Sequence, residues 1–394
     1  MNEDKASRYH RLARRARVIA VLWSTALLVT LVASPLSGLM RDVAAQLVLA
    51  ANAPSALTPP LIVVFYVMML AVVHECGALP MAYYRGHALE SRYGLSTQSA
   101  SRWWRTYIKG AAVGLGFLQA GAVFLYALIR WWPDGWWIAA AIVWLLAMVG
   151  LTRLGPVLLL PLFYELKPIH RDELQQDLIR LARKAGTTAV GVYQWTLSDS
   201  TRRANAALVG LGRTRRILLS DTLLSDYSDD EIAVVLAHEL AHHVHGDIWR
   251  GLGLEALLRS ISFYAAYRAL LVVGPIAGIT HAADVAGLPL ILLVCGAFSL
   301  LAQPLANARS REHERRADRF ALSLTHNAPA FVSAMRRLAQ QNLAEEHPSR
   351  WVQALFHSHP STAERLAIAR DTPSPGGRSP GMISSTLADV EGRR

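Results

Sequence analysis

Cysteine is nearly absent: Cys76 and Cys295 are the two in 394 residues, and both lie in or beside apolar runs. That excludes a disulfide-stapled fold and a cysteine-ligated zinc module. Acidic residues are also scarce, 29 against 40 Lys and Arg, which leaves a net charge of +11. Such a balance suits nucleic acid or an anionic membrane surface. Here the basic residues flank apolar runs, which favours the membrane and argues against nucleic acid. No tandem repeat is visible. The glycines of "GLGRTRR" are too few for a nucleotide-binding loop and read as a turn beside a strand.

What the chain has in abundance is apolar sequence. Hydrophobic residues make up 53%, and the mean hydropathy is +0.25. They concentrate in runs at 18–38, 60–82, 109–129, 136–163, 255–280 and 287–306. Six membrane spans are expected there, since about 20 apolar residues cross a bilayer as a helix. Residues 42–52 are too short to span and suit an interfacial helix, or a seventh span if the stretch 42–58 is taken whole. The basic start "MNEDKASRYHRLARRARVIAVLW" resembles a signal peptide but reads as a retained anchor.

Charge orients the spans. Basic clusters at 5–17, 85–109 and 309–316 fall on one side if the count is six, and that side should be cytoplasmic. The expected location is a plasma membrane, with both termini and the long polar stretch 166–254 in the cytoplasm. Three regions follow: membrane helices over 1–165, a mixed α/β unit over 166–370 interrupted by a transmembrane hairpin at about 255–306, and a Pro/Gly/Ser-rich disordered tail over 371–394.

Within the polar stretch, Leu174, Leu178 and Leu181 have helical spacing, with Gly186 as a stop signal. "AVGVYQWTL", "ANAALVG" and "RRILLSD" read as short strands. Ser228 and Glu231 fit a capping box that opens the next helix.

That helix carries "VVLAHELAHHVHGD". His238, Glu239 and His242 form H-E-x-x-H, which sets two imidazoles one turn apart on one face, where both can bind one zinc. Glu239 can then reach a water activated by the metal and act as general base. A hydrolytic zinc site needs a third protein ligand. His243 points about 100° away from His242 and reads as exposed or supporting. His245 lies two turns from His238, too far to close the same tetrahedron. The best candidate lies in "SREHERRADRFA", where Glu314 and Asp318 share a face. Glu314 can bind zinc, and Asp318 can accept from a ligating histidine and fix its tautomer. One zinc per chain is expected.

These motifs resemble those of integral-membrane zinc metalloproteases of the CAAX prenyl protease type, whose relatives include bacterial heat-shock membrane proteases. "NAALVGLGRTRRILLSDTLL", "EIAVVLAHELAHHVHGD", "SREHERRADRFAL" and "HPSTAERL" stand in the family's order, and "LPMAYYRGHALESRYGLSTQ" is similar to its longer members. The resemblance implies a polytopic helical membrane protein carrying a gluzincin-type α/β protease domain. It implies His238, His242 and Glu314 as zinc ligands, Glu239 as base and Asp318 as a support. It adds His359, which would stabilise the oxyanion, and Arg365, which would support the site. It also makes Asn205, Ala206, Ala207, Leu208 and Val209 an edge strand that binds an extended peptide by main-chain hydrogen bonds. The implied substrates are membrane-associated, lipidated or misfolded proteins.

Two features depart from that pattern. Asp247 stands where a histidine is often found, and six spans are counted where longer relatives have seven. Two other functions compete: a regulatory protease that cleaves a repressor, and an idle membrane scaffold. The lack of an external sensor domain argues against the first, and the intact Glu239 against the second. His74, Glu75 and Arg153 lie inside expected spans, where ionisable groups are costly. They fit a water-lined functional setting and structural pairing equally well.

Overall fold

The computed structural model describes residues 4–210 and 215–371. The centre of the "GLGRTRR" turn and all but the first residue of the expected tail lie outside the described residues. The chain opens with helices α1 (Lys5–Ala33), α2 (Leu36–Ala50) and α3 (Thr58–Tyr83). A π-helical turn, Tyr84–Leu89, carries α3 into the short α4 (Glu90–Arg92). Helices α5 (Ala100–Trp131), α6 (Trp136–Leu158) and α7 (Leu160–Phe163) follow. Long apolar runs become helices because a helix satisfies its own backbone groups without water. Close packing matters as well: a Cβ on Gly77 of α3 would lie 2.1 Å from the Trp23 ring of α1.

Among the described residues, five helical stretches are long and apolar enough to cross a membrane: Lys5–Ala33, Thr58–Arg92, Ala100–Trp131, Trp136–Gly155 and Val285–Thr325. Six spans were expected. The difference is the run at 255–280, which falls in α11 (Asp247–Val272). Arg250, Glu255, Arg259 and Arg268 interrupt its apolar character. Its Ala266 and Leu270 nevertheless pack into the apolar cluster of Tyr66, Tyr126 and Trp136. Arg259 is held by Ser299 at 2.9 Å, a residue of α12 (Leu288–Thr325).

The bundle has two distinct ends. At one, Tyr9 of α1 donates to Glu90, and Arg14 reaches Glu345 at 2.6 Å. At the other, Ser37 of α2 donates to the Ala286 carbonyl at 2.7 Å, and Arg41 pairs with buried Asp284 at 2.7 Å. Helices α1, α3, α5, α6, α11 and α12 run between these ends. Helix α2 is 15 residues long, about 22 Å, short of the ~30 Å of a bilayer core. It starts earlier than the expected 42–52 segment, buries Val48 and packs Ala44 against the bundle.

Two of the three ionisable groups inside expected spans, His74 and Glu75, hydrogen-bond to other helices. His74 Nε2 lies 2.9 Å from Ser24 Oγ, and Tyr107 donates to Glu75. This is the structural-pairing reading for both residues.

The α/β unit begins at β1 (Leu166–Pro168) and α8 (Asp172–Lys184), followed by β2 (Val192–Trp195), β3 (Ala206–Val209) and β4 (Arg216–Ser220). The sheet order is β1-β2-β4-β3, with β2 parallel and β3 antiparallel to β4. Then come α9 (Asp221–Asp226) and α10 (Asp229–Val244). After α11 and α12 the chain closes with α13 (Ala328–Gln341), α14 (Arg350–Phe356) and α15 (Thr362–Asp371). Leu174 and Leu178 of α8, Ile217 and Leu219 of β4, Ile232 and Leu236 of α10, and Phe331 of α13 form one core. Helix α8 stops where expected, at Gly186, whose φ of +72° is cheap only for glycine. The capping box at Ser228 and Glu231 has both reciprocal bonds.

Candidate metal centre

Helix α10 is buried through most of its length, so its polar side chains face either the sheet or one opening. His238 and His242 leave on the same face, one turn apart, with their ring centroids 5.1 Å apart. Helix α12 crosses beside them and brings in Glu314. Its Oε2 lies 3.2 Å from His238 Nε2, and its Oε1 lies 3.6 Å from His242 Nε2. One ligand atom from each residue falls within 4.8 Å of the others.

The donor set suits a divalent metal: two imidazole nitrogens and a carboxylate, all converging. Glu314 is 6% exposed, yet its Oε2 receives no well-aligned hydrogen bond. That oxygen faces ring nitrogens of His238 and His359 at 3.2 and 2.8 Å, and a bound divalent cation would neutralise the carboxylate. Burial works to raise the Glu314 pKa, but His238 and His359 outweigh it and hold the carboxyl well below its usual range.

Each histidine has its outer nitrogen occupied. His238 Nδ1 lies 2.9 Å from Asp318 Oδ1. Asp318 in turn accepts two bonds from Arg365 of α15, at 2.8 and 2.5 Å. Burial pulls the His238 pKa down, yet Asp318 and Glu314 push it up to about 9. His242 Nδ1 lies 3.0 Å from Asp247 Oδ2, and Arg316 donates to the other oxygen of Asp247. With the outer nitrogens so engaged, the Nε2 atoms of both rings turn inward, toward Glu314.

Glu239 lies on α10 between the two histidines in sequence and opens into a cavity of about 1010 Å³. Burial lifts its carboxyl above the ordinary value, against the pull of His238 and His242. The cavity is lined on one side by His238, Glu239 and His359, and on the other by Tyr9, Arg17 and Trp103 of the membrane helices. His359 stands at the rim, its side chain 64% exposed and its Nδ1 2.8 Å from Glu314 Oε2.

Strand β3 is the edge of the sheet, and Asn205 immediately precedes it. The Ser220 amide donates to the Asn205 carbonyl at 2.9 Å. Antiparallel alternation then turns the main-chain groups of Ala206 and Leu208 outward. Asn205 and Ala206 line the cavity.

One residue behaves differently from the sequence-based expectation, and two take positions to which the sequence assigned no role. His243 is not an exposed or metal-supporting group: its Nε2 donates to the Leu208 carbonyl at 2.8 Å and ties α10 to the edge strand. Burial lowers its pKa, against the Leu208 carbonyl, which favours the charged ring. His245 packs its ring against Phe320, centroids 5.5 Å apart, and caps α10. Asp247, noted in the sequence only for standing where a histidine is common, turns back onto His242. Sequence reasoning also missed a lock at the cavity wall, where Arg203 donates to Tyr9 and to Glu90, at 2.9 Å each. No pattern in the sequence links those three positions.

Comparison with known proteins gives concordant results. The model of peptidase family M48 matches residues 168–372. A second, described as the CAAX prenyl protease N-terminal region with five membrane helices, matches residues 2–165. A Bacillus subtilis protein named as an uncharacterized metalloprotease, YhfN, is 29% identical over 77% of this chain and 72% of its own length. CAAX prenyl protease 1 of Saccharomyces cerevisiae is 27% identical over 73% of this chain and 67% of its own length. The fold is similar to that of the S. mikatae Ste24p crystal structure, with a TM-score of 0.77, 21% identity, and coverage of 93% of this chain and 87% of that one.

Proposed function

The chain belongs to peptidase family M48, with a polytopic helical membrane region ahead of its protease unit, and from that premise we propose a zinc-dependent endopeptidase that cuts membrane-associated proteins at the cytoplasmic face. The observation that carries the metal assignment is the convergence of His238, His242 and Glu314 within 4.8 Å, with Glu239 beside them in a cavity shared with the membrane helices.

Zinc, when bound, supplies Lewis-acid polarisation of the scissile carbonyl and activation of a water. The protein does the rest. Glu239 accepts the water's proton and passes it to the leaving amine. Asp318 and Arg365 hold His238 in the tautomer that offers Nε2 inward. His359 sits at the rim, where a donor to the developing oxyanion is needed.

Substrate is held as an added strand along Asn205–Val209. The outward amide and carbonyl of Ala206 and the outward amide of Leu208 can bond an extended peptide. His243 already occupies the Leu208 carbonyl. Curated relatives named CAAX prenyl proteases support membrane-bound or lipidated substrates, and the cavity's contact with the bundle is consistent with them. The disposition of the basic clusters and the contact of the α1 start with the protease unit support a cytoplasmic site with the N-terminus on the same side.

Purified protein in detergent should contain one zinc per chain. It should cleave a membrane-anchored peptide, and should lose that activity to a chelator and regain it with zinc. Cleavage that persists after the metal is stripped would sink the proposal.

A further inference from the structure

The metal site has two carboxylate–arginine braces. The first, Asp318 with Arg365, stands behind His238. The second stands behind His242: Asp247 Oδ2 is 3.0 Å from His242 Nδ1, while Arg316 of α12 donates to Asp247 Oδ1. His313 Nδ1 lies 3.7 Å from the same oxygen. Asp247 is 7% exposed, so its charge is engaged by protein groups rather than water.

The local chain path makes this contact possible. Helix α10 ends at Val244, and Gly246 takes a left-handed conformation, φ +65°. That reversal starts α11 at Asp247 and folds its carboxylate back onto the last turn of α10. An uninterrupted helix would carry residue 247 five positions past His242, about 140° around the axis, away from the imidazole edge.

We infer that Asp247 is a positioning residue for the metal site: it accepts from His242 Nδ1, fixes the ring so that Nε2 faces Glu314, and is itself fixed by Arg316. The inference rests on the zinc reading above. Arg316 lies two residues from Glu314 on the same helix. The brace therefore sets the distance between two ligands that come from different helices. A helix shift that moved Glu314 would move Arg316 with it, and His242 would follow. Outer hydrogen bonds of this kind tune metal affinity by roughly ten- to hundredfold.

The test is zinc affinity, measured by competition with a chromogenic chelator on the detergent-solubilised full chain, together with the visible spectrum of the cobalt-substituted protein. Asp247→Ala should weaken zinc binding roughly ten- to hundredfold and alter the cobalt spectrum. Asp247→Asn keeps an acceptor for His242 and should recover part of the affinity. Arg316→Met should weaken binding less than Asp247→Ala. If the alanine variant does not fold, the asparagine and Arg316→Met variants carry the test. Wild-type zinc affinity and cobalt spectrum in both would overturn the inference, as would an Asp247→Ala variant whose thermal stability without metal falls while its zinc affinity stays unchanged. A wild-type protein that binds no zinc would instead remove the underlying reading.

Discussion

Asp318 of α12 lies 2.9 Å from the His238 ring of α10, 80 positions earlier in the chain, and accepts from Arg365 as well. One buried carboxylate thus joins three helices behind a single proposed ligand. Asp318→Ala should lower zinc occupancy and also leave Arg365 without its partner. Breaking a buried pair of this kind costs about 3–5 kcal/mol. Thermal unfolding with and without zinc would separate the two effects. An unchanged midpoint in both states would contradict the brace.

Glu239→Gln should keep zinc and lose hydrolysis by at least ~10²-fold. The substitution removes the base and no ligand. Metal analysis alongside single-turnover cleavage checks it, and substantial turnover by the pure variant would refute the role of Glu239.

Glu314→Ala should behave in the opposite way and lose zinc. The side chain bridges toward both His238 and His242, at 3.2 and 3.6 Å. No other carboxylate among the described residues shares that three-residue group. Full zinc occupancy after the substitution would mean that another residue completes the site.

Arg203→Ala should loosen the cavity wall. Arg203 bonds Tyr9 of α1 and Glu90 after α3, so the substitution removes one tie between the start of α1 and the protease unit and leaves Arg14–Glu345. The Arg203 side chain is 39% exposed, and solvent screening limits the loss to about 1–2 kcal/mol. Faster proteolysis near residues 4–17 at an unchanged zinc content is the expected signature.

Single-cysteine labelling at residues 8 and 190, after replacement of Cys76 and Cys295, should find both positions on the same side of the membrane. The contact of Arg14 with Glu345 requires it. Labelling of one but not the other from outside intact cells would contradict an even number of crossings between them, where four candidate spans lie.

The sequence by itself carried the metal motif, because i and i+4 spacing places His238 and His242 on one face whatever surrounds the helix. It also carried the capping box at Ser228, three of the four strands, and the apolar runs, since each depends on neighbours a few residues apart; the sequence reading does not include β1 (Leu166–Pro168). The run at 255–280 reads as a span in the sequence, yet α11 is not one of the five described helices long and apolar enough to cross, because Arg259 and Arg268 interrupt it. His243 was misjudged because its role depends on the Leu208 carbonyl, 35 residues away. Glu314 could be proposed from pattern and resemblance, but its convergence with the histidines depends on how α12 crosses α10. Tertiary structure alone disclosed the Tyr9–Glu90–Arg203 lock and the return of Asp247 onto His242. Those contacts come from helix crossing and from a left-handed glycine, and neither leaves a periodic trace in the chain.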